Sequence, residues 1–171
     1  KTIAFILVYS SYGFITLVFA FNFAHDLSHD SIFKSKSLNN FCYTLFYTMV
    51  GAHAEAWKVR HTKSHHYCPN VDGHDADMKI TKWIRVSPSQ KYYWFHKYQH
   101  YYASFLYMTY SLFWIVKKDF VNYLWEDGYK IKKNFRYHLI FWTQKVIYTT
   151  SILIIPLIYC NVNWQTIIIS F

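Results

Sequence analysis

The feature that most constrains this chain is a long uncharged run near its start. Residues Thr2 to Ala24 contain no acidic, basic or histidine side chain. As an α-helix rising about 1.5 Å per residue, the run spans about 35 Å, which is enough to cross a hydrocarbon core about 30 Å thick. It is also longer than the apolar core of a signal peptide, about 7 to 15 residues, and no small-x-small cleavage pattern precedes His25. We therefore predict a membrane span here, not a soluble domain or a cleaved leader.

The composition excludes two further classes of protein. The chain has 15 Phe, 17 Tyr and 7 Trp among 171 residues, which is incompatible with intrinsic disorder. Its three cysteines, Cys42, Cys68 and Cys160, are odd in number and scattered, so they do not form a disulfide framework. Only 4 glycines and 3 prolines occur, which favours long helices over strands.

The basic charge has a particular distribution. The formal net charge is +9, and fourteen of the 18 Lys and Arg residues lie between Lys58 and Arg136. They occupy two polar stretches, Lys58 to Lys97 and Lys117 to Arg136, that flank apolar segments. Cytoplasmic loops have this arrangement under the positive-inside rule. We therefore interpret the charge as membrane topology and not as a nucleic-acid surface.

The remaining apolar segments predict the topology. Leu139 to Cys160 is long enough for a second span, whereas Phe41 to Trp57, about 25 Å as a helix, and Tyr101 to Val116 are short and predicted to be interfacial or re-entrant. Cys160 to Asn163 is predicted to be a tight exoplasmic turn before another span that starts at Trp164. The predicted fold class is all-α: a multi-pass integral membrane protein with interfacial helices and a cytoplasmic cap that carries the histidines.

Five of the ten histidines fall into two short motifs. The sequence HDLSH contains His25 and His29, and HTKSHH contains His61, His65 and His66. On a helix, residues four apart share a face with Cβ atoms about 5–6 Å apart, which suits chelation of one metal. His66 is rotated by about 100° from His65 and is predicted to turn toward a second metal. We therefore predict a two-metal site built from these five imidazoles.

The identity of the metal does not follow from the ligands, because imidazole suits Fe, Zn, Cu and Ni. Asp26 and Asp30 are either second-shell acceptors that orient ring N–H groups or ordinary carboxylates at a membrane boundary. Hydrolase and phosphate-binding motifs such as HExxH, GxSxG and GxxxxGK[ST] do not occur in the sequence. Metal-dependent chemistry on a molecule delivered by the bilayer is the remaining interpretation.

At these residues the sequence resembles the membrane fatty acid desaturase superfamily, specifically the front-end acyl-CoA group of the linoleoyl-CoA (delta-6) type. HDLSH matches the first histidine box of that family and HTKSHH the second. The stretches NVDGHDADM and SPSQKYYWFHKYQH resemble the segment that follows the second box in the front-end group. The resemblance covers nearly the whole chain.

The resemblance implies an enzyme of unsaturated fatty acid biosynthesis. It implies two Fe ions in a di-iron centre, O₂ as co-substrate, and a fatty acyl-CoA or acyl-lipid substrate. It also implies cytochrome b5 or a ferredoxin-type protein as electron donor. The expected location is the bacterial inner membrane or the endoplasmic reticulum, with the histidine boxes on the cytoplasmic side. No catalytic residue is expected beyond the metal ligands.

The family has a third histidine box near its C-terminus, and that box does not occur in this sequence. The chain starts at Lys1 and its last apolar run has no polar flank. We therefore expect residues 1–171 to be a partial desaturase domain with N- and C-terminal parts missing, and expect this polypeptide alone to be inactive.

Other polar residues leave alternatives open. His96 and His100 are candidates for ligands or second-shell groups, or they lie on an interfacial amphipathic helix. Lys58, Arg60 and Lys63 are weak candidates for contacts with CoA phosphates or an acidic donor, or they reflect topology alone. Asp75 and Asp77 are expected to cap a helix or to meet a basic partner. No metal role is expected for His53, His74 and His138.

Two other functions compete with desaturation. A lipid hydroxylase or ketolase of the same superfamily would use the same centre but add oxygen to carbon. A non-enzymatic membrane metal-binding protein would bind zinc and show no dependence on oxygen.

Overall fold

The computed structural model describes residues 1–78, 81–124 and 131–170 of the chain. These residues are helical wherever they are regular, and strand pairing among them is limited to one bridge between Thr81 and Ile84. Two lysines of the basic stretches, Lys79 and Lys130, lie outside the described part. The chain divides into two compact units, one formed by residues 1–54 and 133–171 and the other by residues 55–132.

The helices are numbered α1 to α8 along the chain. Their bounds are α1 Thr2–Ser28, α2 Lys36–Val50, α3 Ala54–Arg60, α4 Gln99–Met108, α5 Tyr110–Phe113, α6 Asp119–Leu124, α7 Phe135–Tyr159 and α8 Trp164–Ser170. Four π-helical turns occur in the described residues, at Ala20–Ala24 within α1, His61–His65 directly after α3, Trp114–Lys118 between α5 and α6, and Thr150–Ile154 within α7.

Two helices, α1 and α7, are long and apolar enough to cross a membrane. They have 27 and 25 residues, and the most hydrophobic part of α1 has no buried residue. An apolar helix that buries none of its own surface needs an apolar surrounding. The two spans predicted from Thr2 to Ala24 and from Leu139 to Cys160 are thus confirmed as helices of spanning length and composition.

The other predicted segments differ in detail. Phe41 to Trp57 was expected as one short segment, but α2 ends at Val50 because Gly51 adopts the left-handed conformation with φ of 75°. Tyr101 to Val116 is likewise divided, at Thr109 between α4 and α5. The turn at Cys160 to Asn163 is present, with Asn161 at φ of 50°.

Unit one is held together by polar contacts between helices. The Tyr9 and Tyr12 hydroxyls of α1 donate to backbone carbonyls in α7 and α2, at 3.0 and 2.7 Å. From α7, the Gln144 amide donates to the Thr44 carbonyl at 3.1 Å and accepts from the Ala54 N–H at 3.3 Å. These bonds satisfy polar groups of a spanning helix that have no access to water in a bilayer.

Unit two contains α3 to α6 and the long loop between α3 and α4. The loop includes two short 3₁₀ turns, Ala76–Met78 and Trp94–Tyr98. Its first part, from Cys68 to Met78, folds back toward the π turn that carries the second histidine motif. This return path sets the geometry described next.

Candidate metal centre

The first histidine motif lies at the end of α1. His25 begins the last α-helical turn, directly after the π turn at Ala20–Ala24, and His29 is the residue that follows the helix. Their ring centroids are 4.8 Å apart with an angle of 63° between the rings. The predicted proximity of residues four apart is therefore present. Ser28 Oγ donates to the His25 carbonyl at 2.6 Å, which fixes this last turn.

The two carboxylates of the first motif have different surroundings. Asp26 Oδ1 lies 3.2 Å from His25 Nδ1, within reach of a hydrogen bond that would orient the imidazole ring. Asp30 adopts a left-handed φ of 57°, and its Oδ2 lies 3.8 Å from Lys36 Nζ. Asp26 is thus in contact with an imidazole of the first motif.

The second motif is built on a π turn instead of a regular α-turn. The His66 N–H donates to the His61 carbonyl at 3.1 Å, an i to i+5 bond that brings residues five apart onto one side of the helix. As a result, the Nε2 atoms of His61 and His66 lie 3.0 Å apart. A helix of 3.6 residues per turn predicts that His61 pairs with His65 and that His66 turns elsewhere, whereas the π turn pairs His61 with His66.

The His61 and His66 pair has the geometry of a chelate. Two nitrogens bound to one ion at about 2.0–2.1 Å each lie about 3 Å apart when the ligand–metal–ligand angle is close to 90–110°. The side chain of His61 is buried, and its ring stacks on the Trp57 indole at 4.3 Å with an angle of 18°. Trp57 therefore fixes the plane of the His61 ring, a role that the sequence pattern alone does not indicate.

His65 points to carboxylates. Its Nδ1 lies 3.0 Å from Asp75 Oδ2 and 4.0 Å from Asp77 Oδ2. Its ring centroid remains 5.5 Å from that of His61, nearly parallel to it. The three side chains His65, Asp75 and Asp77 form a group whose ligand atoms all lie within 4.8 Å of one another.

Both carboxylates stay ionised. Burial of Asp75 opposes its ionisation, but hydrogen bonds from the Asn70 N–H, the His65 ring and the Asp77 N–H outweigh it and lower the pKa. Burial likewise opposes ionisation of Asp77, while a hydrogen bond from His61 and the charge of Arg60 hold its pKa below the ordinary value. The second motif is therefore backed by two anionic groups.

The expected roles of Asp75 and Asp77 are both present. Asp75 Oδ1 accepts the Asp77 N–H at 2.8 Å at the start of the 3₁₀ turn, and Asp77 Oδ1 lies 2.9 Å from Arg60 Nη2. The contact with His65 is additional. The turn residues of PNVDG indicate that the loop reverses direction, and Asn70 and Gly73 do take positive φ. Their spacing alone does not predict that the loop brings Asp75 to His65.

Arg60, Lys58 and Lys63 are not equivalent. The Arg60 guanidinium is mostly buried, paired with Asp77 and placed over the Trp114 ring at 5.8 Å. It is therefore part of the internal structure of unit two and does not fit a donor-binding surface. Lys63 is exposed and Lys58 is partly exposed.

His96 has a structural position. Its Nδ1 accepts the Tyr93 N–H at 3.1 Å, and its Nε2 lies 2.9 Å from the Lys82 carbonyl. Both ring nitrogens are thus engaged by the backbone at the start of the second 3₁₀ turn. His100 is exposed, and its ring packs on Tyr101 with centroids 3.9 Å apart.

Comparison with known proteins gives the family. The family model "Fatty acid desaturase" matches residues 1–169, so the chain belongs to the fatty acid desaturase family. This match and the curated relatives confirm the resemblance to front-end desaturases.

Three relatives illustrate the similarity. The sn-1 linoleoyl-lipid 6-desaturase of Arthrospira platensis is 33% identical over 104 residues, 61% of this chain and 28% of the relative. The acyl-lipid (8-3)-desaturase of Physcomitrium patens is 29% identical over 152 residues, 86% of this chain and 32% of the relative. The acyl-lipid 8-desaturase of Rebecca salina is 33% identical over 101 residues, 53% and 23% of the two chains. The chain thus spans about a third or less of these relatives. No solved structure shows a significant match to it.

Proposed function

We propose that this chain forms part of an enzyme that introduces a double bond into a fatty acyl chain, carried on CoA or on a lipid. The observation that carries the proposal is the chelate geometry of His61 and His66 in a chain of the fatty acid desaturase family. We propose His25, His29, His61, His65 and His66 as ligands of two Fe ions.

The donor set fits iron. Imidazole nitrogens are suitable ligands for Fe, and a ligating imidazole commonly donates its other N–H to a carboxylate. Asp26 and Asp75 lie at that distance from His25 and His65. When bound, a di-iron centre supplies the activation of O₂ and the removal of two hydrogens from an alkyl chain.

The contribution of the chain itself is to hold and orient the ligands. Trp57 fixes the ring plane of His61, and the π turn sets the separation of His61 and His66. Asp26 and Asp75 accept from ring nitrogens of the two motifs. These contacts preorganise imidazoles that would otherwise lose rotamer freedom on binding metal.

We also propose a multi-pass topology with both motifs on the cytoplasmic side. The positive-inside rule supports it, because the first basic stretch, Lys58 to Lys97, contains the second motif and the other, Lys117 to Arg136, leads into α7. An electron donor, cytochrome b5 or a ferredoxin-type protein, would approach this side. Lys58 and Lys63 remain proposed contacts for an acidic donor or for CoA phosphates, and Arg60 does not, because it pairs with Asp77.

Metal binding tests the centre directly. Purified protein is loaded with Fe(II) under anaerobic conditions and the bound metal is measured. We expect His61→Ala and His66→Ala to lose most of the bound iron, while His74→Ala, an exposed histidine in the adjacent loop, retains it. Equal iron content in all four proteins would contradict the proposed ligands.

Product analysis tests the reaction. A chimera of the Arthrospira platensis relative, with its matching segment replaced by this chain, is expressed in a host and its lipids are analysed. We expect a product two hydrogens lighter than the substrate, lost in His61→Ala. A product heavier by one oxygen would favour the hydroxylase or ketolase alternative, and preference for zinc without oxygen consumption would favour the non-enzymatic one. We propose that the 171-residue polypeptide alone gives no product, because it supplies only two of the three boxes.

A further inference from the structure

Unit two contains a buried carboxylate, that of Asp75. Its side chain is 1% exposed, although it lies in a loop where its neighbours Asp72 and His74 are exposed. A buried charge is costly unless it is fully hydrogen-bonded. The contacts of the Asp75 carboxylate must therefore offset the free-energy cost of burying its charge.

The carboxylate oxygens of Asp75 contact two backbone N–H groups and one imidazole. The Asn70 N–H donates to Oδ2 at 2.8 Å and the Asp77 N–H donates to Oδ1 at 2.8 Å. The third contact, 3.0 Å long, joins Oδ2 to His65 Nδ1. Because an ionised carboxylate only accepts, the proton in this third bond belongs to His65 Nδ1.

The loop is also tied to the π turn beside His65. The buried Ser64 Oγ donates to the His74 carbonyl at 2.7 Å and accepts the Ala76 N–H at 2.7 Å. The residues on either side of Asp75 are thus bonded to the residue directly before His65. The carboxylate and the imidazole are held in register by backbone as well as by side chains.

We propose that Asp75 is a positioning residue for the metal centre: it holds His65 in the tautomer protonated at Nδ1, so that Nε2 is the nitrogen available to the metal. This inference rests on the proposed function, in which His65 is a ligand. It adds a residue outside the two histidine motifs, ten positions beyond His65.

The alternative use of the same group, a separate cation site formed by His65, Asp75 and Asp77, is disfavoured by the geometry. A 3.0 Å separation of His65 Nδ1 and Asp75 Oδ2 is a direct hydrogen bond. Asp77 is 4.0 Å from His65 and paired with Arg60. Both carboxylate oxygens of Asp75 already accept from backbone N–H groups.

A double-mutant cycle with Co²⁺ as the probe tests the proposal. The affinity of purified protein for Co²⁺ is measured by competition with a chelator for wild type, Asp75→Asn, His65→Ala and the double variant. Asp72→Asn is the matched control, since Asp72 is an exposed carboxylate of the same loop. The Asn variant keeps the size of the side chain but removes its charge and one acceptor oxygen.

We expect Asp75→Asn to weaken Co²⁺ binding about 10- to 100-fold, the usual effect of removing an outer-shell partner, and Asp72→Asn to change it less than twofold. In the His65→Ala background the Asn substitution should have almost no effect, because Asp75 acts through His65. A loss of similar size with and without His65, or no loss in wild type, overturns the proposal. If the loop had only a structural role, Asp75→Asn would cause a similar loss of affinity with and without His65.

A second measurement uses only the wild-type protein, so it does not depend on whether a variant folds. Nitrogen-15 NMR of histidine-labelled, metal-free protein at pH 8 reports which ring nitrogen of His65 carries the proton. We expect protonation at Nδ1, and protonation at Nε2 overturns the proposal. Failure of the proposed function is distinguishable: wild type would then bind no Co²⁺ through its histidines, whereas failure of the Asp75 inference leaves wild-type binding intact.

Discussion

Gly51 terminates α2 in a position that tolerates no side chain. Its φ is 75°, and a Cβ placed there would lie 2.5–2.8 Å from ring atoms of Tyr148. A left-handed residue other than glycine costs about 1–2 kcal/mol, and overpacking adds about 1–3 kcal/mol. The backbone and the packing therefore require glycine independently.

We expect Gly51→Ala to destabilise the protein by about 2–5 kcal/mol, the sum of these two costs. Substitutions at two other glycines distinguish the conformational cost from the packing cost. Gly73→Ala should cost only the conformational part, since φ is 79° but no atom lies within 4 Å of its Cβ. Gly13→Ala, inside α1 with open space around it, should be neutral or stabilising. Thermal unfolding in detergent measures all three, and equal effects would contradict the argument.

His53 is a buried neutral histidine. It is 1% exposed and makes edge contacts with the rings of Tyr137 and Phe141, at 4.5 and 5.2 Å. Burial, and next the charge of Lys145, lower its pKa from 6.5 to about 3. In the unfolded chain the same imidazole takes up a proton near its ordinary pKa of about 6.5.

The lowered pKa of His53 makes the free energy of unfolding depend on pH. Above pH 6.5 both states are neutral at this residue, and as the pH falls toward 3 the unfolded state gains a proton that the folded state does not bind. The free energy of unfolding should therefore fall by up to about 1.4 kcal/mol per pH unit in this window. Melting curves between pH 7 and 5 should show this slope for wild type and a reduced slope for His53→Phe. Parallel pH curves for the two proteins would exclude His53 as the cause.

At the scale of elements, α2 and α7 are joined by a lysine inside the membrane-spanning helix. Lys145 Nζ donates to the Gly51 carbonyl at 2.7 Å, and the side chain is 7% exposed. A cation beside the last carbonyls of a helix is favourable, because these carbonyls lack partners within the helix. The lysine therefore caps the C-terminal end of α2.

We expect Lys145→Met to destabilise the protein by about 1–3 kcal/mol, because the buried Gly51 carbonyl loses its donor. Lys36→Met at the other end of α2 is the control: Lys36 is exposed, and its ion pair with Asp30 is 3.8 Å long. Its removal should change stability by less than about 0.5 kcal/mol. Unfolding monitored by circular dichroism compares the two, and a smaller effect at Lys145 than at Lys36 would contradict the proposed cap.

Some elements were accessible from sequence and others were not. An uncharged run identifies α1 because composition alone decides whether a helix suits a bilayer. The π turn at His61–His65 differs from an α turn by one residue in hydrogen-bond register, and side-chain periodicity over five residues does not resolve that difference. The contact of Asp75 with His65 depends on the positive φ of Asn70 and Gly73, which set the path of the loop.

At the scale of the whole molecule, the native cysteines report topology. Cys160 is exposed at the start of the turn predicted to be exoplasmic, and Cys68 follows the second histidine motif. In the proposed topology they label from opposite sides of the membrane. An impermeant maleimide added to intact cells should modify a variant that retains only Cys160 and should not modify one that retains only Cys68 until the membrane is opened. Labelling of both from the same side would contradict the topology.

The π turns at Ala20–Ala24 and His61–His65 determine how the histidine side chains of each motif are rotated about the helix axis. One residue corresponds to a rotation of about 100° about a helix axis. Deleting a single residue from Ala20–Ala24 would therefore swing both imidazoles of the first motif about a quarter of a revolution while leaving their chemistry untouched. The direction in which the proposed ligands point thus depends on the number of residues in the π turn that precedes them.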